Sequence, residues 1–135
     1  MTTFTIPGKP MGQPRARFAR IGTFVRTYDP KEATSYKATV AQFAHAAGVK
    51  PIAGPVIVTI TAYMPRPQRL CRKRDDPGVL PATCKPDCDN IGKIICDALN
   101  GVAYADDAQV VDLHVIKRYD SIGGMPCVMV TVKEW

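Results

Sequence analysis

The stretch PVIVTITAYM, residues 55–64, decides the fold class of this chain of 135 residues. It is rich in β-branched side chains, which favour strands over helices. Because side chains alternate between the two faces of a strand, one face carries Val56, Val58, Ile60 and Ala62. We therefore predict a strand here, with that face on the protein core.

The residues before this strand predict two further strands and a helix. Short apolar runs at 3–6 and 23–28 are typical of strands. Residues 7–22 between them are basic and interrupted by prolines and glycines, which predicts a loop. A helical pattern then begins with Asp29 as N-cap and Pro30 at the first helical position. We expect this helix to end at Gly48.

The residues after 55–64 predict a long loop, a second helix and two strands. Residues 65–86 are rich in proline and basic side chains, which indicates a loop. Residues 89–99 follow a helical apolar pattern. The strands expected at 110–119 and 126–133 are joined by a glycine-containing turn, so we predict that they form a hairpin.

This order of elements predicts an α+β fold in a single domain, residues 1–135. We expect a mixed β-sheet of about four to five strands, with two main helices packed mainly on one face. The apolar fraction of 46% and charged fraction of 22% are ordinary for a globular protein. No apolar run approaches a membrane span, and the N-terminus MTTFTIPGKP lacks the features of a signal peptide, so we expect a cytoplasmic protein.

The charge pattern points to a polyanion partner. The formal net charge is +6, and the basic residues cluster in two stretches without acids, one before Asp29 and one within the 65–86 loop. Such segregation favours nucleic acid as the partner, although a solubilising surface is the alternative. The candidate DNA-binding residues are Lys9, Arg15, Arg17, Arg20, Arg66, Arg69, Arg72, Lys73, Arg74 and Lys85.

The segment KPDCDNIGK, residues 85–93, places acidic side chains away from the core. On a helical wheel, Asp89 and Lys93 lie nearly opposite the apolar stripe of the second helix, and Asp87 precedes the helix. A structural explanation remains open, because one aspartate can cap the helix and Lys93 can pair with Asp97. A cap requires one aspartate, however, and the segment has two.

A second acidic segment, YADDAQVVDL at residues 104–113, follows the helix. Because the helix has only three turns, the loop with Asp106 and Asp107 can fold back beside Asp89. Three or four carboxylates sharing a site would repel one another without a cation, and carboxylate oxygens suit Mg²⁺, with Mn²⁺ as a substitute. With a lysine and basic loops, this predicts a metal-dependent phosphodiesterase.

The cysteines offer a second metal hypothesis. Cys71, Cys84, Cys88 and Cys96 are close in sequence, but their spacing lacks the paired ligands of structural zinc sites. Free thiols are the better interpretation. His45 and His114, on a helix and a strand, are not expected to be ligands.

The segment KPDCDNIGKIICDALNGVAYADDAQVVDLHVIKRY, residues 85–119, resembles the signature of the RusA family of Holliday-junction resolvases, common in phages and prophages. The N-terminal IPGKPMGQPRARF is also similar to RusA-type proteins, whereas the 65–86 loop is longer than in the best-known member. The resemblance implies a homodimer that nicks symmetric strands of a four-way junction. It implies Mg²⁺-binding catalytic roles for Asp87, Asp89 and Asp107, an essential Lys93, a positional Asn90 and a supporting Asp106.

Two other functions remain open at this point. A non-catalytic DNA-binding module would use the same basic loops but would not need the carboxylates. A Mg²⁺-dependent nuclease acting on other branched DNA or on RNA would use the same residues. For the homodimer, the candidate surfaces are the first helix and the predicted C-terminal hairpin.

Overall fold

A computed structural model describes residues 1–135 as a five-stranded mixed sheet with two helices on one face and a separate two-stranded sheet. This confirms the predicted α+β class. The elements in chain order are β1 (Thr2–Pro7), β2 (Arg17–Ile21), β3 (Phe24–Tyr28), α1 (Lys31–Ala46), β4 (Val56–Met64), β5 (Leu80–Pro81), α2 (Cys88–Ala98), β6 (Val110–Tyr119) and β7 (Cys127–Glu134).

Strand β4 lies at the centre of the main sheet, whose order is β1-β7-β4-β6-β5. The predicted inward face of β4 is confirmed, since Val56, Val58, Ile60 and Ala62 are completely buried. The apolar stripe of α2 packs on the same core as α1. The two helices therefore cover one face of the sheet and leave the other uncovered.

The predicted C-terminal hairpin is wrong. Strands β6 and β7 do not pair with each other, because β4 lies between them, parallel to β6 and antiparallel to β7. A central strand is the position that buries β4 most completely, and the seven-residue turn is long enough to cross its end. The rule that sequential strands tend to be neighbours fails here.

The N-terminal third differs from prediction in two details. Residues 17–21 form strand β2, which pairs with β3, although we expected a loop there. Helix α1 begins at Lys31, its N-cap position is Pro30, and no side chain caps it. Asp29 is instead bound to Lys37 and Gln13, which explains why it does not cap the helix.

The long loop after β4 is ordered by Arg66. Its guanidinium donates hydrogen bonds to the carbonyl oxygens of Leu70 (2.9 Å) and Gly78 (2.7 Å) and also to that of Asp76. The loop then returns as β5 to the outer edge of β6. No helix of the protein has the length and apolar character needed to cross a membrane.

Candidate active site

Helix α2 presents Asp89 and Lys93 to solvent while its opposite side is buried. Gly92 fixes how closely the helix approaches β6. A Cβ atom at Gly92 would lie 3.1 Å from Val115 Cγ2 and 3.3 Å from Leu113 Cδ2. Because Gly92 has no side chain, α2 can pack directly against β6.

A concavity of about 320 Å³ opens between α2 and the start of β6. Its polar lining comes from Asp89, Lys93 and Asp107, and its wall includes Cys96 and Leu113. No hydrogen bond or salt bridge to another side chain engages the carboxylates of Asp89 and Asp107 or the ammonium of Lys93. The structure therefore brings together two of the predicted aspartates and the predicted lysine.

Hydrogen bonds from two side chains position the loop that carries Asp107. The Tyr104 hydroxyl donates a hydrogen bond to the Cys96 carbonyl oxygen (2.8 Å), and burial raises the pKa of Tyr104 well above its usual range. The Gln109 amide donates hydrogen bonds to the carbonyl oxygens of Ile52 (2.8 Å) and Gly54 (3.0 Å). The loop is thus tied both to α2 and to the segment before β4.

Asp87 and Asp106 lie apart from this concavity. Asp87 occupies the N-cap position of α2 but makes no capping hydrogen bond, and its carboxylate pairs with Lys85 Nζ at 3.0 Å. Asp106 is exposed beside Asp107. Three His, Cys, Asp or Glu side chains do not gather anywhere closely enough to hold a metal ion. The predicted cluster of three or four carboxylates is therefore not assembled.

A second concavity, about 500 Å³, lies on the other side of Lys93 and includes Arg15 and Asn90. Here Asp97 lies 3.7 Å from Lys37 Nζ, and the Lys93–Asp97 pair that the structural explanation required does not form. Lys37 also donates to Asp29 at 2.8 Å, and this hydrogen bond lowers the pKa of Asp29. Lys37 thus neutralises these two acids and leaves Lys93 unpaired.

The predicted DNA-binding residues are distributed unevenly. Lys9 and Lys85 line a broad concavity of about 870 Å³ beside the start of α1. Arg15, Arg17, Arg20, Arg69, Lys73 and Arg74 are exposed. Arg72 is paired with Asp75 at 3.3 Å, and the donors of Arg66 are occupied by backbone carbonyls. The geometry of Arg66 does not support its prediction as a DNA contact.

Residues 7–133 match the sequence model of the family Endodeoxyribonuclease RusA. The chain belongs to the RusA family. A protein of Bacillus subtilis (strain 168), described as uncharacterized protein YqaN, is 36% identical over 137 residues, which cover 97% of this chain and 94% of that protein. RusA-family proteins are DNA endonucleases that act on branched DNA, so this RusA-family chain is a nuclease.

The donor set of this RusA-family site fits Mg²⁺. Asp89 and Asp107 offer hard carboxylate oxygens from one concavity. Proteins usually bind Mg²⁺ through one or two carboxylates, with waters and substrate phosphates completing the coordination, rather than in an all-protein cage.

The five cysteines form no disulfide. Burial raises the pKa of Cys96, which lines the same concavity, to about 11, so its thiol stays protonated at neutral pH.

Lys117 is a positioning residue that sequence reasoning missed. It pairs across the sheet with Ala62, so it lies on the helix-covered face of β6, where an apolar residue is expected. Its ammonium donates hydrogen bonds to the carbonyl oxygen of Pro86 (3.0 Å) and to that of Cys84. Lys117 therefore anchors the segment that leads into α2. Its position in the apolar alternation of β6 was the available signal.

We expect Lys117→Met to lower the rate of branched-DNA cleavage more than it lowers the affinity for that DNA. Removing charge-assisted hydrogen bonds costs about 2 kcal/mol of stability and frees the backbone before Asp89. Thermal unfolding, junction affinity and single-turnover cleavage would be measured together, with the exposed Lys50→Met as control. Equal cleavage by Lys117→Met and the unaltered protein would contradict a positioning role.

Proposed function

We propose that this RusA-family nuclease resolves four-way DNA junctions by paired, Mg²⁺-dependent nicks. The observation that carries the proposal is the pair of unengaged carboxylates, Asp89 and Asp107, facing an unpaired Lys93 on one open concavity. Two carboxylates repel a DNA phosphate unless a cation lies between them. The proposed cellular location is the cytoplasm of a bacterial or phage-infected cell.

In the proposed reaction, Asp89 and Asp107 would hold Mg²⁺. When bound, the cation supplies Lewis-acid stabilisation and favours deprotonation of a water nucleophile. Lys93 Nζ donates a hydrogen bond to a phosphate oxygen and stabilises the negative charge that grows there. Asp87, paired with the exposed Lys85, is a proposed third ligand that requires release from this pair.

Basic side chains beyond Lys93 would hold the DNA backbone. Arg15 and Asn90 line the neighbouring concavity, which shares Lys93, and Lys9 and Lys85 line the broad concavity beside the start of α1. Gly12 allows this N-terminal segment to approach α2, since a Cβ there would lie 2.6 Å from Pro86 Cβ. The exposed Arg69, Lys73 and Arg74 are proposed outer contacts.

The paired nicks require two sites, and the uncovered sheet face is our proposed dimer surface. Ile116, Thr61 and Met129 lie side by side across three strands on that face. Ile116 and Met129 are 39% and 40% exposed. Thr61 lies between them, and His114 and Arg118 flank Ile116 on the same face of its strand. Two sheets can pack face to face through such uncovered faces. This surface replaces the sequence-based candidates, α1 and a C-terminal hairpin.

We expect Met129→Arg to convert a dimer into a folded monomer. The substitution brings two like charges into the proposed two-fold contact, while the side chain is too exposed for it to disturb the core. Sedimentation velocity and circular dichroism would follow the change, with Ile122→Arg in the β6–β7 turn as control. A Met129→Arg variant that remains dimeric would place the interface elsewhere.

The proposed function is tested by nicking of a fixed synthetic four-way junction. We expect symmetric paired cuts in Mg²⁺, none in EDTA and none on linear duplex of the same sequence. Flap and fork substrates in the same experiment test the alternative of a nuclease for other branched DNA. Tight junction binding without cutting in Mg²⁺ or Mn²⁺ would favour a non-catalytic binding module.

A further inference from the structure

The β2–β3 hairpin is the most unusual surface of the molecule. It forms its own two-stranded sheet outside the main sheet. Every residue of β3 and all of β2 except Ala19 are exposed. Five of the 14 exposed large apolar side chains of the chain lie on this short ribbon: Phe18, Ile21, Phe24, Val25 and Tyr28.

The hairpin carries aromatic and basic side chains on both faces. Paired residues share a face, so Phe24 and Tyr28 lie with Arg17 and Arg26 on one side. Phe18 and Arg20 lie on the other side. Phe18 is 72% and Phe24 75% exposed, so neither ring contributes to a core. A ribbon with contact groups on both faces fits between two surfaces better than onto one.

The charge of the hairpin selects a polyanion as its partner. Residues 17–28 contain three arginines and no acidic residue, and none of these arginines forms a salt bridge. A symmetric contact between two such hairpins would bring six arginines together, which disfavours a second copy of the chain as the occupant. The hairpin also follows Arg15, which lines the concavity on the other side of Lys93 from Asp89 and Asp107.

We infer that the β2–β3 hairpin inserts at the branch point of the DNA, with Phe18 and Phe24 stacked on base faces exposed there. This inference rests on the proposed function and specifies how branched DNA is distinguished from duplex. Inside a linear duplex every base is already stacked, whereas a branch point exposes base-pair faces. Aromatic rings stack on any base without sequence preference, and arginines hold the adjacent phosphates.

The test compares a Phe18→Ala/Phe24→Ala double variant with the unaltered protein on a junction and on linear duplex, in EDTA to prevent cutting. We expect junction affinity to fall at least about 30-fold, the lower limit for the loss of two stacked rings, while duplex affinity changes little. A 2-aminopurine at the branch point should change fluorescence with the unaltered protein and not with the double variant. Met125→Ala, another exposed apolar side chain, serves as the matched control.

Further variants separate stacking from other uses of the hairpin. Phe24→Trp should retain junction affinity, whereas Phe24→Leu should lose most of the junction affinity that Phe24→Ala loses. An equal loss on junction and duplex would overturn the inference in favour of a ribbon lying in a groove. Conversion of a dimer to a monomer by the double variant would overturn it in favour of self-association, as would unchanged junction affinity.

The outcome is separable from that of the proposed function. Loss of branch-specific binding in the double variant supports the hairpin even if the unaltered protein fails to cut junctions in Mg²⁺. Paired cutting by a double variant with unchanged junction affinity would retain the proposed function and reject the hairpin inference.

Discussion

Asp89→Asn should cut a four-way junction at least about 100-fold more slowly than the unaltered nuclease while binding it as tightly or more tightly. Even side chains that only support metal ligands typically contribute 10- to 100-fold to metal affinity or activity, so loss of a ligand should cost no less. Removing a carboxylate also removes a repulsive charge near the DNA phosphate, so the affinity for the junction should stay the same or rise.

The measurement is single-turnover cleavage over a range of Mg²⁺ concentrations, together with junction affinity in EDTA. Asp89 is exposed and its structural contribution is limited to a negative charge in the first turn of α2, so the variant should unfold within a few degrees of the unaltered protein. Glu134→Gln, the same chemical change at an exposed position of β7, is the control. Normal cleavage by Asp89→Asn would remove this carboxylate from the proposed metal site.

Lys93→Met should lower junction cleavage by about 10²- to 10³-fold with a much smaller effect on affinity. A preorganised donor aimed at developing charge contributes this much to catalysis, because its interaction strengthens in the transition state. Lys93 is suited to this role since no acid neutralises it, whereas Lys37 is engaged by Asp29 and Asp97.

Lys93→Arg separates charge from geometry. It retains the positive charge but places a planar guanidinium where the site holds a compact ammonium, so partial activity is expected. Lys50→Met, at an exposed position far along the chain from α2, is the matched control. If Lys93→Met weakened binding and cleavage by the same factor, Lys93 would be a DNA contact rather than a transition-state donor.

The sequence predicted best where apolar periodicity was strong. The inward face of β4 and the apolar stripe of α2 are both confirmed, since burial of these positions dominates local preference. The partners of each strand could not be predicted in the same way. The β6 and β7 patterns suit a hairpin equally well, and only the placement of β4 between them decides the pairing.

Prediction of the candidate site was partial for a similar reason. The helical wheel placed Asp89 and Lys93 on the open side of α2, and the short length of α2 predicted that the loop with Asp107 returns beside them, as observed. The helical wheel did not reveal that Asp87 would pair with Lys85, because both residues lie in a segment without periodicity. Strand β2 was missed because its side chains face solvent on both sides and show no alternation.

The position of β7 has a consequence for the nascent chain. The last strand of the sheet along the chain lies between β1 and β4, and Thr2 pairs with Val132. Sheets built from such distant partners fold slowly, in about milliseconds to seconds, because loop closure precedes the contacts that stabilise it. The sheet that supports α2 and β6 therefore closes only after the C-terminal residues leave the ribosome. A chain truncated before β7 would therefore lack the strand that joins β1 to β4, and with it part of the sheet on which α2 packs.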